Sequence, residues 1–561
     1  AFFPLSIPRR GRSQSVLRMP TTLGSIPNRA CIAIIGGGPS GYFSAITAAR
    51  HLFLQPLHQN DNNSNNNQND HHRSSNTPPA KKRVLILEAT TKPLKKVLQS
   101  GGGRCNVLHR TMSTPSHLSL HYYPRGGKEM IGPFTTGFSQ KDAWKWFQGE
   151  GLDLKIESDG RVFPKSDDAQ SVVDVLSAAA ERAGVELFTG VKVLSVVKNS
   201  SWMMMEQNAK FDIALEMKQV LKDNGKGGGS NGNSTKRIKS TISCNSVVLA
   251  TGSSPSGYAI AKSLGVDVAS PYPSLFSFRF ATNDDNDDSH TNTHPLEGLH
   301  GISIPDVHLT LMTKNDNDNV TQQQQKTKQN QKNNSKNKTQ RGDLLITHRG
   351  LSGPAVLRLS SFAAQELHQC KYRGTILINF IPDLTQKEVY DALCYYASLQ
   401  DVRRKNVGTA PPRRRRRQQL SHGYDSLPLS ESFMDVLPDL PKRLWFSLIT
   451  TSQIDPNTKW SQLSKKQRIS LSQVLTSLPI HFHGKDTNKE EFVTAGGVML
   501  SNVDLKRMES KQVPGLFFVG EALNVDGVTG GFNFQHCWTS GYVAGVAAAD
   551  SALLMEKKEE I

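Results

Sequence analysis

The sequence predicts an α/β fold in which a Rossmann-like dinucleotide-binding domain is interrupted by an inserted, mixed α+β domain. Near the amino end, a strand, a glycine motif and a helix follow one another between Cys31 and Arg50. A second strand-and-helix unit, Val513–Gly545, lies near the carboxyl end. Between residues 272 and 490, short β-like runs punctuated by proline replace this pattern. The two outer units are therefore expected to form one discontinuous domain around the insert.

The amino-terminal unit carries a fingerprint for binding a dinucleotide pyrophosphate. Cys31–Ile35 is a continuous apolar run, which is typical of a buried parallel strand. The residues that follow it, GGGPSG, fit the motif G-x-G-x-x-G and lead into a predicted helix, Tyr42–Arg50. The three motif glycines permit a tight turn, a close approach to the pyrophosphate and close helix packing. The binding residues predicted here are Gly36, Gly38, Pro39, Ser40 and Gly41.

A second predicted strand, Arg83–Leu87, ends at an acid, Glu88. A carboxylate in this place accepts hydrogen bonds from adenosine ribose hydroxyls, and it repels a 2′-phosphate, which disfavours NADP at this site. The acid follows the glycines at more than the usual spacing of about 20 residues. The surplus, residues 58–82, consists mostly of Asn, Asp, Gln, Ser and His, and we predict a disordered loop. The alternative for Glu88 is a solvated acid at a strand end.

Three segments in the middle of the chain are candidates for further contacts with the dinucleotide. Ser100–Asn106 (SGGGRCN) has three glycines that let a backbone wrap closely around a ligand, although a flexible loop is the alternative. The strand-like segment Gly184–Lys198 can bring backbone to the adenine, and Asn245–Gly252 predicts a buried strand ending in small residues. Within the first of these segments, the arginine can pair with a phosphate or a ring carbonyl. The predicted binding residues in these segments are Gly102, Gly103, Arg104, Cys105, Asn106, Val193, Ala250, Thr251 and Gly252, and Lys96, which precedes the first segment, is also predicted.

The carboxyl-terminal unit combines an acid with a free helix N-terminus. The predicted strand Gly515–Val519 is followed by a Gly-Glu pair, and a Gly-Gly pair then precedes a helix rich in small residues. A carboxylate and the positive end of a helix dipole can together hold a polar, partly anionic ligand. The predicted binding residues are Gly520, Glu521, Gly530, Gly531, Phe532 and Asn533. Since no second G-x-G-x-x-G follows Asn245–Gly252, we predict one dinucleotide site without a separate nicotinamide domain.

Composition narrows the class of protein. The longest apolar runs fall short of a bilayer span, so we predict no transmembrane helix. The six cysteines form no C-x-x-C pair and are expected to be reduced thiols, and we predict no metal site. The net charge of +18 and the run Arg413–Arg417 raise the alternative of a nucleic-acid partner. Because this run lacks interleaved aromatic residues, a solvated loop is the simpler interpretation, and a small-molecule substrate is the predicted partner.

The first 60 residues contain no Asp or Glu, but they contain several Arg together with Ser, Thr and Pro. This composition resembles an organelle transit peptide. The Ala-Phe start resembles the plastid-targeting presequences of algae with complex plastids. We therefore expect the interior of a plastid or another organelle. The alternative is a basic tail that is not a targeting signal, and hence a cytoplasmic location.

These patterns divide the chain into consecutive segments. They are a disordered targeting leader (1–29), the first part of the dinucleotide-binding domain (30–271), the insert domain (272–490), the second part of the dinucleotide-binding domain (491–550) and a tail (551–561). Within the insert domain we predict disordered loops at 284–293, 315–341 and 403–419.

Several motifs together match one known family. They are Gly36–Gly41, Glu88, Ser100–Asn106, Gly160–Pro164, Thr347–Ala355, Thr494–Val498 and Gly515–Gly545. On these motifs the chain resembles the BaiN/RdsA-like, or aminoacetone oxidase-like, family of FAD-dependent oxidoreductases. The resemblance implies an FAD-binding domain of the two-dinucleotide-binding flavoprotein type. The chain departs from the family pattern at Leu94, Leu108-His109, Asn524 and Phe532, which bears on substrate preference more than on flavin binding.

The resemblance also implies an activity. FAD would pass a hydride to an unidentified organic substrate, with NAD(P)H as the candidate transient donor. It would place Gly520-Glu521 beside the ribityl phosphate and Gly530–Asn533 toward the isoalloxazine ring. No catalytic acid or base is assigned, and His481, His483 and His536 are candidates only by residue type. A flavin-dependent RNA-modifying enzyme and a non-catalytic flavin-binding protein are the alternatives.

Overall fold

The computed structural model of the protein contains a nine-stranded sheet and a six-stranded closed barrel, together with two smaller sheets of two and three strands. The structure describes residues 26–54, 82–110, 122–199, 210–221, 234–281, 294–312, 338–398, 407, 440–486 and 493–559. The strands are β1 (Arg29–Ile35), β2 (Val84–Glu88), β3 (Leu108–His109), β4 (Leu154–Ile156), β5 (Arg161–Pro164), β6 (Glu186–Thr189), β7 (Val191–Lys198), β8 (Phe211–Leu221), β9 (Ser234–Leu249), β10 (Val268–Ser274), β11 (Phe278–Phe280), β12 (Ser303–Met312), β13 (Thr339–Ile346), β14 (Gly350–Ser352), β15 (Arg373–Asn379), β16 (Leu478–Lys485), β17 (Val493–Val498), β18 (Val503–Asp504), β19 (Glu509–Ser510) and β20 (Leu516–Phe518). The α-helices are α1 (Pro39–Leu54), α2 (Lys95–Gln99), α3 (Gln140–Gly149), α4 (Ala169–Arg182), α5 (Pro255–Ser263), α6 (Pro354–Phe362), α7 (Ala364–Gln369), α8 (Gln386–Ser398), α9 (Lys442–Thr451), α10 (Lys465–Thr476) and α11 (Phe532–Glu559).

The large sheet is parallel at its centre, where β20, β9, β1, β2 and β6 lie side by side. The strands are apolar because both of their faces are covered, as in β1, where Ile32 and Ile34 are fully buried. The long strand β9 connects two parts of this sheet, since its first part pairs antiparallel with β8 and its last residues pair parallel with β1 and β20. As a result, the carboxyl ends of β1, β2, β9 and β20 meet at one edge. We refer to this part of the chain as the Rossmann-like domain.

Helices α1 and α11 pack on each other through glycine. A Cβ atom at Gly541 would lie 2.9 Å from the carbonyl oxygen of Ser40, and one at Gly545 would lie 2.7 Å from that of Ser44. Neither backbone could come this close with a larger residue on α11. The contact fixes the first turn of α1 against α11, next to the carboxyl edge of the sheet.

The insert forms a barrel, called here the barrel domain, which closes in the order β11–β14–β13–β12–β15–β16. All neighbouring strands in it are antiparallel, and β16 closes the ring by pairing with β11. Helices α6, α8, α9 and α10 contribute to its core, which is separate from the core of the Rossmann-like domain. The chain leaves through β10 and returns through β17, and these two strands pair with each other.

The predicted α/β architecture with an inserted domain is confirmed, and three local predictions differ from the structure. Residues 491–500 were expected to resume the Rossmann-like pattern, but β17 pairs with β10 instead of the large sheet. The predicted disordered loop 315–341 is shorter, because β13 begins at Thr339, where the polar residues can pair with β12. The predicted tail 551–561 continues α11 as far as Glu559.

Some predicted features lie outside the described residues. They are residues 1–25 of the leader, residues 58–81, 284–293 and 315–337 of the predicted loops, and residues 403–406 and 408–419, which include Arg413–Arg417. In the part of the chain that the structure describes, no helix is both long enough and apolar enough to cross a membrane.

Candidate functional site

Four segments that follow strands come together at the carboxyl edge of the large sheet. The N–H of Gly36 donates to the carbonyl oxygen of Leu87 (2.9 Å), and the N–H of Ala250 donates to that of Ile35 (2.9 Å). On the other side of β9, the N–H of Val519 donates to the carbonyl oxygen of Leu249 (3.2 Å). This edge of an open parallel sheet is where such folds bind their ligands.

The three glycines of the amino-terminal motif have different surroundings. A Cβ atom at Gly36 would lie 2.3 Å from the carbonyl oxygen of Ala250, and one at Gly41 would lie 2.0 Å from that of Gly36. A Cβ atom at Gly38 would meet no atom of the described residues within 4 Å. Gly36 and Gly41 are therefore required for packing, whereas the backbone of Gly38 is accessible to a ligand. Pro39 begins α1, so the free N–H groups of its first turn face the same place.

Glu88 holds the glycine motif against the end of β2. Its Oε2 accepts a hydrogen bond from the N–H of Gly37 (2.6 Å). Its Oε1 accepts from the N–H and the hydroxyl of Thr90 (2.8 and 2.7 Å). Each carboxylate oxygen can accept more than one hydrogen bond, so these contacts are compatible with the predicted contact to a ribose hydroxyl.

The second glycine-rich loop provides another accessible stretch of backbone. Gly101, Gly102 and Gly103 have φ angles of 57°, 68° and 86°. In the part of the chain that the structure describes, a Cβ atom at Gly102 or Gly103 would meet no atom within 4 Å. Cys105 also has a positive φ of 58°. Burial raises the pKa of its thiol to about 12, so the group is neutral and its role is in the backbone turn.

Arg104 is directed away from the glycine-rich loop, toward acidic residues. Its guanidinium forms ion pairs with Glu157 and, at 2.8 Å, with Asp167, and it lies 4.0 Å from the ring centre of Phe163. A direct contact with a phosphate or a ring carbonyl would require an exchange of these partners. The predicted binding role of Arg104 stays a prediction.

An ion pair joins α2 to the carboxyl-terminal unit. The Nζ of Lys96 lies 2.5 Å from Oε2 of Glu521, whose carboxylate raises the pKa of the lysine. A Cβ atom at Gly252 would lie 3.9 Å from the same carboxylate oxygen. The structure thus brings three predicted residues from distant parts of the sequence together. In contrast, Val193 lies in β7, where it pairs with Leu215 of β8.

Gly520 is held between α1 and α11. Its N–H donates to the hydroxyl of Ser540 (2.9 Å), and its carbonyl oxygen lies 3.0 Å from Nε2 of His536. A Cβ atom at Gly520 would lie 2.6 Å from Oγ of Ser40. Because a carbonyl oxygen only accepts, the proton of His536 lies on Nε2, and the buried Nδ1 has no hydrogen-bond partner in the described part of the chain.

We expect the substitution His536→Gln to reduce the acid sensitivity of the protein. Burial lowers the pKa of His536 from 6.5 to about 4. Above about pH 6.5 the ring is neutral in both states, whereas below it the unfolded chain binds a proton that the folded chain does not. Stability is therefore lost as the pH falls from about 6.5 to about 4, at about 1.4 kcal/mol per pH unit. A glutamine can still donate to Gly520, so the variant should show a smaller decrease in Tm between pH 7 and pH 5 than the wild type. Equal decreases would contradict this role.

The start of α11 is packed against β3. A Cβ atom at Gly531 would lie 2.5 Å from the carbonyl oxygen of Leu108, and one at Gly530 would lie 3.0 Å from the ring of His109. When its amide nitrogen faces Leu108, the side chain of Asn106 bridges the two elements, since its oxygen accepts from the N–H of Gly531 (3.2 Å) and its nitrogen donates to the carbonyl oxygen of Leu108 (3.0 Å). Asn533 is bonded in the same manner to the backbone of Gly527 (2.8 and 2.9 Å). These glycines are therefore needed for packing.

Three rings form an aromatic cluster (His109, Tyr122 and Phe532) beside these glycines. The ring of Phe532 lies 4.7 Å from that of His109 and 4.4 Å from that of Tyr122, with angles of 22° and 14° between the planes. Burial lowers the pKa of His109. The hydroxyl of Tyr123 donates to the carbonyl oxygen of Phe532 (2.7 Å). The two tyrosines were not predicted, and no motif marks them in the sequence.

A second group missed by sequence reasoning, the junction cluster (Arg125, Ser274, Ser361 and Asp526), lies where the two domains meet. Nε of Arg125 donates to Asp526 (2.5 Å), and its Nη2 donates to the carbonyl oxygen of Ser361 (3.0 Å). The hydroxyl of Ser274 donates to Asp526 (3.0 Å). Burial raises the pKa of Asp526, and the guanidinium of Arg125 opposes this effect. The one available signal was an acid within an apolar, glycine-rich segment.

The candidate histidines are separated by the fold. His481 and His483 lie on β16 in the barrel domain, where Nδ1 of His481 is 3.0 Å from the hydroxyl of Thr375. Only His536 lies at the carboxyl edge of the large sheet, and it binds backbone. The structure therefore assigns no acid–base role to any of the three.

The residues at this edge fit FAD. The accessible backbone of Gly38, Gly102 and Gly103 forms a cradle that side chains would fill, and the first turn of α1 offers N–H groups to a pyrophosphate. The buried Oδ1 of Asn524, in the loop before α11, has no hydrogen-bond partner among the residues that the structure describes, and it is available to a ligand. The ion pair of Lys96 and Glu521 supplies both a cation and a hydroxyl acceptor between these elements.

Comparison with known proteins gives consistent matches. The family model described as HI0933-like protein Rossmann domain matches residues 74–547. The chain is 26% identical over 466 residues to a ribosomal RNA dihydrouridine synthase of Escherichia coli, covering 82% of this chain and 90% of that protein. It is 25% identical over 525 residues to a 3-dehydro-bile acid delta(4,6)-reductase of Clostridium scindens, covering 92% and 99%. Among solved structures, a 3-ketosteroid-delta4-(5alpha)-dehydrogenase from Rhodococcus jostii matches with a TM-score of 0.41 and 13% identity, covering 95% and 99%.

Proposed function

The chain belongs to the HI0933-like family of FAD-dependent oxidoreductases, and from this premise we propose that it transfers a hydride from NAD(P)H to an organic substrate. Membership confirms the resemblance predicted from the motifs. The observation that carries the proposal is the meeting of Gly38, Glu88 and the pair Lys96–Glu521 at one sheet edge. No second G-x-G-x-x-G motif follows the segment Asn245–Gly252, so we infer that the reduced nicotinamide approaches transiently.

The residues of the chain would bind and orient the cofactor. The backbone of Gly38 and the first turn of α1 would bind the pyrophosphate, while Glu88 would accept a ribose hydroxyl. FAD, when bound, supplies a carrier for two electrons between donor and substrate. The positive end of α11 would favour negative charge beside it by about 0.3–2 kcal/mol.

The names of the two curated relatives support a class of substrate. A dihydrouridine synthase and a delta(4,6)-reductase both act on a carbon–carbon double bond, so we propose that the substrate contains a double bond conjugated to a carbonyl group. The overall reaction consumes NAD(P)H and one proton, and the substrate gains a hydrogen at each carbon of the bond.

RNA is the second candidate substrate. The net charge of +18 and the name of the Escherichia coli relative favour it. RNA that copurifies with the protein and accepts hydrogen from reduced nicotinamide would support this alternative. A reaction limited to small conjugated carbonyl compounds would support the first candidate, a small organic substrate.

The test is an anaerobic reduction experiment. The purified protein is expected to be yellow and to release FAD on denaturation, and its visible absorbance should bleach with NADH or NADPH. Persistent oxidised flavin in the presence of both donors would overturn the proposed donor and favour a substrate oxidase that uses dioxygen.

A further inference from the structure

One face of helix α6 (Pro354–Phe362) lies against the Rossmann-like domain. The carbonyl oxygen of Ser361 accepts a hydrogen bond from Arg125, and Phe362 packs on the core of the large sheet. A helix turns about 100° per residue, so Arg358 lies between these two residues on the same face. Other positions on the helix, including Leu359, contribute to the core of the barrel domain. Arg358 therefore belongs to the surface of the barrel domain that faces the Rossmann-like domain.

Arg358 retains unused hydrogen-bonding capacity. Its Nη2 donates to the carbonyl oxygen of Arg341, and a Cβ atom at Gly342 would lie 2.5 Å from this Nη2. Burial lowers the pKa of Arg358, and Asp343 and Tyr122 are close enough to oppose this effect. Among the described residues, no carboxylate forms an ion pair with it. A guanidinium has five N–H donors, so most of them remain for a ligand.

The residues near Arg358 contact the start of α11, where the flavin ring is proposed to lie. Tyr122 lies three residues before Arg125, whose guanidinium donates to Ser361 of α6, and the ring of Tyr122 stacks on Phe532. Phe532 directly follows Gly530-Gly531, where α11 begins. A cation of the barrel domain and the aromatic cluster thus lie on the two sides of the domain junction.

We propose that Arg358 is a specificity-determining residue that binds the carbonyl oxygen of a planar, conjugated substrate beside the aromatic cluster. This inference rests on the proposed function. When a hydride adds to the β-carbon of such a substrate, the π electrons move to the carbonyl oxygen, and a proton from solvent then adds to the α-carbon. The reductant is the reduced nicotinamide, acting through the bound cofactor. A charged donor placed at the oxygen stabilises the developing negative charge, and a compound without an oxygen there leaves the guanidinium unpaired.

Binding of a probe tests the proposal without turnover. The probe is 4-hydroxybenzaldehyde, a planar conjugated carbonyl compound, titrated into the FAD-loaded protein while the visible flavin absorbance is followed. Arg358→Met is expected to weaken probe binding by at least about tenfold, the effect of losing one charge-assisted hydrogen bond. The affinity of Arg358→Lys for the probe should lie between those of the wild type and Arg358→Met. The matched control is Arg443→Met, because Arg443 also donates to a backbone carbonyl of the barrel domain, that of Gly298; its affinity for the probe should equal that of the wild type.

The outcomes separate this inference from the proposed function. Lack of FAD, or lack of bleaching by NAD(P)H in the wild type, would overturn the proposed function. If both are normal, then equal probe affinity of wild type and Arg358→Met, or no binding of the probe to the wild type, overturns the role of Arg358. A decrease in Tm of Arg358→Met with unchanged probe affinity would show that the residue only supports the helix, and it also overturns the proposal.

Discussion

Replacing Glu88 with alanine is expected to yield a folded protein that retains little FAD. The carboxylate binds the N–H of Gly37 at 2.6 Å and both donors of Thr90, so its removal releases the glycine motif from the end of β2. It also removes the proposed acceptor for a ribose hydroxyl. Hydrogen bonds to a charged group contribute about 1.5–3 kcal/mol each, and loss of one such contact with FAD weakens binding roughly 10- to 150-fold. The measurements are the flavin content of the purified variant and the FAD dissociation constant of its apoprotein.

Glu186→Ala is the matched control for this experiment. Glu186 begins the neighbouring strand β6, where it pairs with Leu85, so it lies at the opposite end of the sheet from Glu88. Its carboxylate lies 3.5 Å from Nε of Arg83, in a partly exposed ion pair of the kind that contributes little. Wild-type FAD affinity in Glu88→Ala would show that the carboxylate serves only the turn. Equal losses in both variants would point to a general effect on the sheet.

Local patterns in the sequence predicted those parts of the fold that depend on neighbouring residues. The predicted strand Cys31–Ile35 lies within β1, because a continuous apolar run can be buried on both faces of a parallel sheet. The strand that ends at Glu88 and the helix that follows the glycine motif were also predicted. Spacing within a motif is enough to predict such elements.

Closure of the barrel could not be predicted, because it depends on pairs of distant strands. Strand β12 pairs with both β13 and β15, and β16 returns to pair with β11. The sequence showed these strands as short apolar runs without partners, which indicated only a mixed α+β insert. Register between distant strands is set by packing in the assembled core.

Leu94 shows how a departure from a family pattern can be explained by backbone geometry. It is one of the positions where the chain departs from the family pattern, and it has a left-handed φ of 56°. A leucine in this conformation costs about 1–2 kcal/mol. Its side chain is buried, and burial of a leucine contributes about 1.5–3 kcal/mol, which offsets the strain.

The junction cluster also could not be predicted from local patterns, since Arg125 and Asp526 are 401 residues apart in sequence. Asp526→Ala is expected to destabilise the protein by about 3–5 kcal/mol, because it leaves the partly buried Arg125 without its partner. Arg125→Met should have a similar effect, since Asp526 is only 1% exposed. Thermal unfolding of both variants, with and without FAD, measures the effect. Near-wild-type stability of both single variants would contradict it.

The double variant Arg125→Met, Asp526→Leu separates stability from positioning. Replacing a buried ion pair with apolar residues is often neutral for stability, so the double variant should recover much of the loss seen in the single variants. The pair also connects the loop before α11 to Ser361 of the barrel domain, and apolar side chains cannot form that hydrogen bond. We therefore expect normal unfolding together with a slower bleaching of bound FAD by NAD(P)H. Recovery of both properties would show that the ion pair only stabilises the junction. If neither stability nor the bleaching rate recovers, the cluster requires local packing and not charge pairing.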